Sequence, residues 1–133
     1  MNSLKGEIEQ IDISGNLSLV GIKVGECQFK SIVVETPETV DYLKVGGAVD
    51  VLFKETEVII GIGENMQISL RNKMISTITA IEKGKLLAKL VLQTNAGKVI
   101  SIITSNAVEK LNLKEGTQVM AMVKTNEILL AKC

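Results

Sequence analysis

The chain has 133 residues, fifteen basic and fifteen acidic side chains, and no histidine. That length holds one domain or two small ones, and the missing histidine removes the commonest general base, metal ligand and triad partner. No apolar run approaches the roughly 18 residues needed to span a membrane. The opening "MNSLKGEIEQ" lacks the basic and apolar regions of a signal peptide. Cys27 and Cys133 make no disulfide framework and no metal-ligand spacing. A cytoplasmic protein with two free thiols is expected. Ile, Val and Leu dominate the apolar residues, which favours strands.

The first half reads as strands with one short helix, begun by Thr36 as cap with Pro37 in the favoured first position. "GIGENMQ", Gly61–Gln67, reads as a linker. Its Gly61-Ile62-Gly63 is not a phosphate loop, since no helix pattern follows. In the second half, "KMISTITAIE" puts Met74, Ser76, Ile78 and Ala80 on one face at period two. "KLLAKLVLQT" and "NAGKVISIIT" are further strands, separated by a turn at Asn95–Gly97. "SNAVEKLNL" reads as a short helix, with Val108 and Leu111 three apart and Asn106 and Glu109 resembling a capping box. "LKEGTQVMAMVK" turns at Glu115-Gly116 into a strand with Val119, Ala121 and Val123 alternating. "EILLAK" is expected to close the sheet.

The halves are one sequence, diverged. At an offset of 70, "LKVGGAVDVLFKETEVII" (Leu43–Ile60) matches "LKEGTQVMAMVKTNEILL" (Leu113–Leu130), sharing Leu43/Leu113, Gly46/Gly116, Val49/Val119, Lys54/Lys124 and Glu57/Glu127. The same offset pairs Asn2 with Asn72, Ile8 with Ile78 and Ser31 with Ser101, with one local gap expected near Gly15. A repeat this long indicates duplication. It predicts two domains, residues 1–65 and 66–133, each with three strands, a one-turn helix and two strands: an all-β fold of two tandem five-stranded OB-like barrels. The charges divide along the same line. Residues 1–65 carry five lysines against eleven acids, a net of −6; residues 66–133 carry ten cations against four acids, a net of +6. An anionic ligand is expected on the second half, with the halves attracting across a subunit interface.

Catalysis is not expected, because no acid pair, nucleophile or metal cluster stands out. Nucleic acid fits poorly. An OB barrel binding single strands uses aromatic platforms, and the basic half has no Phe, Tyr or Trp. What remains is a set of anion-binding groups. Arg71, the only arginine among fourteen lysines, offers a rigid planar fork of donors, and Lys124 adds charge. Ser69, Thr104, Ser105 and Thr125 supply hydroxyls. Backbone N–H groups near Ser105–Ala107 are unpaired at a helix start. Ser105 or Asn106 is otherwise simply the helix cap.

"SLRNKM" at a strand start, followed by "SIITSNAVEKLNLKEGTQVMAMVKTNEILLA", resembles a Mop (TOBE-type) domain. The duplicated chain resembles the di-Mop molbindins. The resemblance is strong over Ser69–Lys132 and weaker over Asn2–Gly61. It implies OB-like barrels with an edge strand exchanged between subunits, and homotrimers holding molybdate or tungstate between subunits, with no organic cofactor. It implies contacts to the anion from Ser69, Leu70 and Arg71 of one subunit, and from Thr104, Asn106, Ala107, Lys124 and Thr125 of another. The first half departs from this pattern. No Ser-x-Arg precedes Asn2, Val34 or Glu35 matches Thr104, and Glu55 follows the retained Lys54. Mixed sites using Lys54 opposite a neighbour's Arg71 stay open. The implied function is molybdate or tungstate binding for storage and homeostasis, without turnover and without nucleic-acid or membrane partners. The alternative is a ligand-sensing regulatory or interaction module acting through a partner protein.

Overall fold

The computed structural model describes residues 1–133. The first half forms β1 (Asn2–Ser14), β2 (Leu17–Val24), β3 (Cys27–Val33), β4 (Ala48–Phe53), a 3-10 turn (Glu55–Glu57) and β5 (Ile59–Gly61). The second forms β6 (Asn72–Lys83), β7 (Leu87–Thr94), β8 (Gly97–Thr104), helix α1 (Ser105–Lys110), β9 (Gln118–Val123), a 3-10 turn (Thr125–Glu127) and β10 (Leu129–Lys132). Alternation sets these strands. Met74, Ser76 and Ile78 are buried on one face of β6, as are Val119, Ala121 and Val123 of β9. A bulge between Ile78 and Ala80 ends the alternation in β6, and Ala80 is only half-buried.

The strands form two five-stranded antiparallel sheets, ordered β10-β4-β1-β2-β3 and β5-β9-β6-β7-β8. The fold class expected from the sequence is therefore present, with one correction. "EILLAK" closes the sheet of the other half. Strand β10 pairs with β4, Leu129 opposite Leu52, and β5 pairs with β9, Ile59 opposite Met122. The exchange takes place within one chain, between its repeats. Buried side chains fix it: Ser101 Oγ donates to Val58 O and Ser31 Oγ to Ile128 O, each at 2.9 Å. Asn2 brackets the backbone of Ile100, with Nδ2 donating to its carbonyl and Oδ1 accepting from its N–H, both at 2.8 Å. Asn72 does the same to Lys30, at 2.9 and 2.6 Å. These contacts are related in pairs by the same offset of 70, so the repeats sit about a pseudo-twofold axis.

That reciprocity corrects the expected gap. Elements on both sides of Gly15 keep one offset, β2 matching β7 and β3 matching β8. Thr104 is therefore matched by Val34 and not by Glu35. The first-half helix is also absent. Residues 34–47 form turns only. Thr39 Oγ1 accepts from the Thr36 N–H and donates to the Thr36 carbonyl, each at 2.9 Å. A side chain bonded in this way competes with helical pairing, and Thr39 and Val40 are β-branched. The second half has Ala107, Glu109 and Lys110 instead, which are strong helix formers.

A single core cluster of 24 residues spans both halves. Phe29 and Phe53 are fully buried, their rings tilted at 59° with centroids 6.3 Å apart. The one ion pair between halves, Lys132–Asp41 at 3.9 Å, is exposed on both sides, so strand exchange and apolar burial hold the halves together. At the axis the β2–β3 turn meets the β7–β8 turn. Gly25 has φ of +59°, and a Cβ there would sit 2.8 Å from Asn95 O.

Both cysteines are free, Cys27 buried and Cys133 exposed. The Cys27 thiol donates to Asn95 Oδ1 at 2.8 Å. Burial, then the charge of Glu26, pushes it from the ordinary 9.0 up to about 11. Its thiolate fraction is then about a hundredfold lower than that of an unperturbed thiol. Alkylation near pH 8 is expected to label Cys133 and spare Cys27 until the chain unfolds, read by mass spectrometry. The sign for stability follows from the raised folded value. The Cys27 contribution is complete below pH 9.0 and is lost as pH rises through about 11.

Candidate functional site

Ser69-Leu70-Arg71 leads into β6. Asn72 pairs with Val123 in the β6–β9 ladder, so the antiparallel register brings Arg71 opposite Lys124 at one strand end. Both are exposed. Arg71 Nε donates to Ser69 O at 3.2 Å and Nη2 donates to Ile68 O. The guanidinium is thus curled over its own lead-in, and its other N–H donors are unspent. Lys124 has extended backbone, its carbonyl accepting from the Glu127 N–H at 2.9 Å. Half-buried Thr125 opens the following 3-10 turn. None of the five ion pairs engages Arg71, Lys124 or Lys54. Ser69, Leu70, Arg71, Lys124 and Thr125 are therefore one cluster, with two uncompensated cations.

Thr104, Asn106 and Ala107 lie elsewhere. Thr104 pairs with Leu87 across β7–β8, and Lys83 at the far end of β6 pairs with Ala88. Arg71 precedes the start of this 12-residue strand, which corresponds to about 40 Å of extended backbone. The two groups occupy opposite ends of the same sheet. Thr104, rather than Ser105 or Asn106, caps α1, its Oγ1 accepting from Ala107 N–H at 3.1 Å. The Ala107 N–H is thereby occupied. Ser105 Oγ instead donates to Gly84 O at 2.7 Å, and Asn106 is exposed.

Lys54 belongs with the Thr104 edge. The turn after it packs on β8, where Ser101 holds Val58. Glu55 Oε2 lies 3.0 Å from the Met1 amino group. That hydrogen bond, with help from the Glu55 backbone N–H and the charge of Lys89, holds its carboxyl below the usual range. Lys89 pairs with Ile102, two residues before Thr104.

The sequence reading missed Asn2, Asn72 and Glu55 as position-setting residues. The signal for the asparagines was available: an amide repeated at the start of two apolar-faced strands requires partners for its polar atoms once buried. The larger surface grooves of one chain avoid the Arg71 cluster. One of about 520 Å³ is lined by Glu64, Asn65, Ile75 and Met120, and one of about 440 Å³ by Lys83, Leu87, Lys89 and Ile102.

The TOBE domain family model matches residues 68–130. Molybdenum-pterin-binding protein 3 of Clostridium pasteurianum is 38% identical over 66 residues, covering 49% of this chain and 97% of that protein. Molybdenum-pterin-binding protein 2 of the same organism is 36% identical over 66 residues, with the same coverage of 49% and 97%. A crystal structure of the cytoplasmic molybdate-binding protein ModG with molybdate bound has a TM-score of 0.91 to this chain. It is 25% identical, and the match covers 99% of this chain and 96% of that one.

Proposed function

The chain belongs to the Mop (TOBE-domain) family of molybdate-binding proteins, and from that premise we propose that it binds molybdate or tungstate reversibly in the cytoplasm, for storage and homeostasis, without chemical turnover. One observation carries this reading: Arg71 and Lys124 stand side by side on adjacent strand ends with no carboxylate paired to either. Ser69 and Thr125 add hydroxyls beside them. Two charged N–H donor groups on neighbouring strand ends suit a fully ionised tetrahedral oxyanion. A protonated phosphate would bring an O–H with no acceptor, and a pocket sized for the larger oxyanion would hold sulfate loosely.

The rest of the donor set supports a site shared between copies. The Ala107 N–H is spent on the helix cap, and Thr104 and Asn106 are too far along the sheet from Arg71 to meet the same anion within one chain. A second copy would supply them, which is the reason to propose anions held between subunits; that the copies number three is what the family resemblance implies. We further propose residues 1–65 and 66–133 as the two duplicated Mop units.

An anion that binds only the folded state raises stability by about 2.7 kcal/mol at a hundredfold excess over its dissociation constant. For a chain of this size that is a rise in melting temperature on the order of 10 °C. Molybdate and tungstate are expected to produce it, and sulfate at equal ionic strength is not. Equal shifts with all three anions would count against a selective site.

A further inference from the structure

The two strand ends that carry a lysine are the same backbone with different chemistry. Lys54 has φ −72°, ψ 146°, and Lys124 has φ −70°, ψ 146°. Each carbonyl accepts from the N–H three residues on, Glu57 at 3.0 Å and Glu127 at 2.9 Å. Both lysines are exposed. Glu57 and Glu127 are common to both ends and cannot distinguish them. Among the positions that differ, Glu55 stands where the second half has Thr125, and Met1 where it has Arg71.

We propose that Glu55 makes the first-half end silent to oxyanions, so that anions bind only at ends carrying Arg71, Lys124 and Thr125. This rests on the oxyanion reading above. Thr125 presents a hydroxyl that can donate; an ionised Glu55 can only accept and repels a dianion. The half-buried side chain of Glu55 is also held in place, over the β8 edge that ends in Thr104. The duplicated chain therefore has one active class of cationic end where its repeat would allow two.

The test is calorimetric titration with molybdate of the wild type, Glu55→Thr, and the double variant Glu55→Thr with Lys54→Ala. The wild type is expected to show one class of site. Glu55→Thr is expected to add a second class, weaker for want of an arginine, and to raise the stoichiometry toward double. The double variant is expected to lose the added class and keep the first. An isotherm of Glu55→Thr that matches the wild type, in a variant with unchanged melting temperature, would overturn the inference while leaving the oxyanion reading in place. No binding by the wild type at all would overturn both.

Discussion

Arg71→Ala is expected to weaken molybdate binding by about 2–5 kcal/mol, the cost of truncating one partner of a buried hydrogen-bonded charge pair, which the contact becomes once a second copy closes over it. That is at least about thirtyfold in the dissociation constant. The melting temperature of the unliganded chain is expected to stay where it is. Arg71 is exposed, and its only intramolecular bonds run to the carbonyls of Ser69 and Ile68 in its own lead-in. Exposed substitutions of that kind change stability by about 0.5 kcal/mol or less. Arg71→Lys should recover part of the affinity, since a point charge replaces charge but not a planar two-pronged contact. Titration calorimetry and thermal melting of the same preparations separate the two effects. A loss of stability with unchanged affinity would make Arg71 a structural residue.

Asn72→Ala is expected to do the reverse of a surface change and destabilise the fold by about 2–4 kcal/mol. The side chain is fully buried and satisfies both backbone groups of Lys30 across the pseudo-twofold axis. Removing it leaves a donor and an acceptor of half-buried Lys30 unpaired, at about 1–3 kcal/mol each when fully buried and about 1–2 where water partly reaches them. Asn72→Asp keeps the acceptor for the Lys30 N–H but cannot donate to the Lys30 carbonyl. It also buries a charge, so it should be no milder. Urea unfolding at constant slope reads both variants. Asn2→Ala should have the same sign, because Asn2 makes the matching pair of bonds to Ile100. A midpoint unchanged in Asn72→Ala would show that the exchange of strands does not depend on this bracket.

Period-two alternation made the strands legible. Met74, Ser76 and Ile78 face the core because a half-buried strand must alternate. The repeat was legible because Leu43, Gly46 and Val49 recur with their spacing intact. The exchange of β5 and β10 was not legible in the same way. Either strand offers the same local pattern whichever β4 or β9 it joins, and the choice is made by tertiary partners such as Ser31 and Ser101. The first-half helix is not realised although Thr36-Pro37 is a good helix start: a single turn forms, the Val40 N–H bonding the Thr36 carbonyl at 3.1 Å, and the β-branched Thr39 and Val40 do not carry it further. At the site, Arg71 and Lys124 could be named from the sequence as charge and donors. Their separation from Thr104 depends on antiparallel register and strand length, which residue types alone do not state. The role of Thr104 as the cap of α1 was hidden by Ser105 and Asn106, residues with a stronger preference for the cap position. Ser105 is turned inward by its bond to Gly84.

The central claim is that the Arg71–Lys124 end, completed by a second copy of the chain, holds a fully ionised tetrahedral oxyanion. Isothermal titration of the wild-type protein with molybdate, in buffer already containing excess sulfate, tests it most directly. The predicted result is saturable binding that sulfate does not displace. No heat with molybdate or tungstate, or binding abolished by sulfate, would contradict it and leave Arg71 as an interface residue of a module that holds no anion.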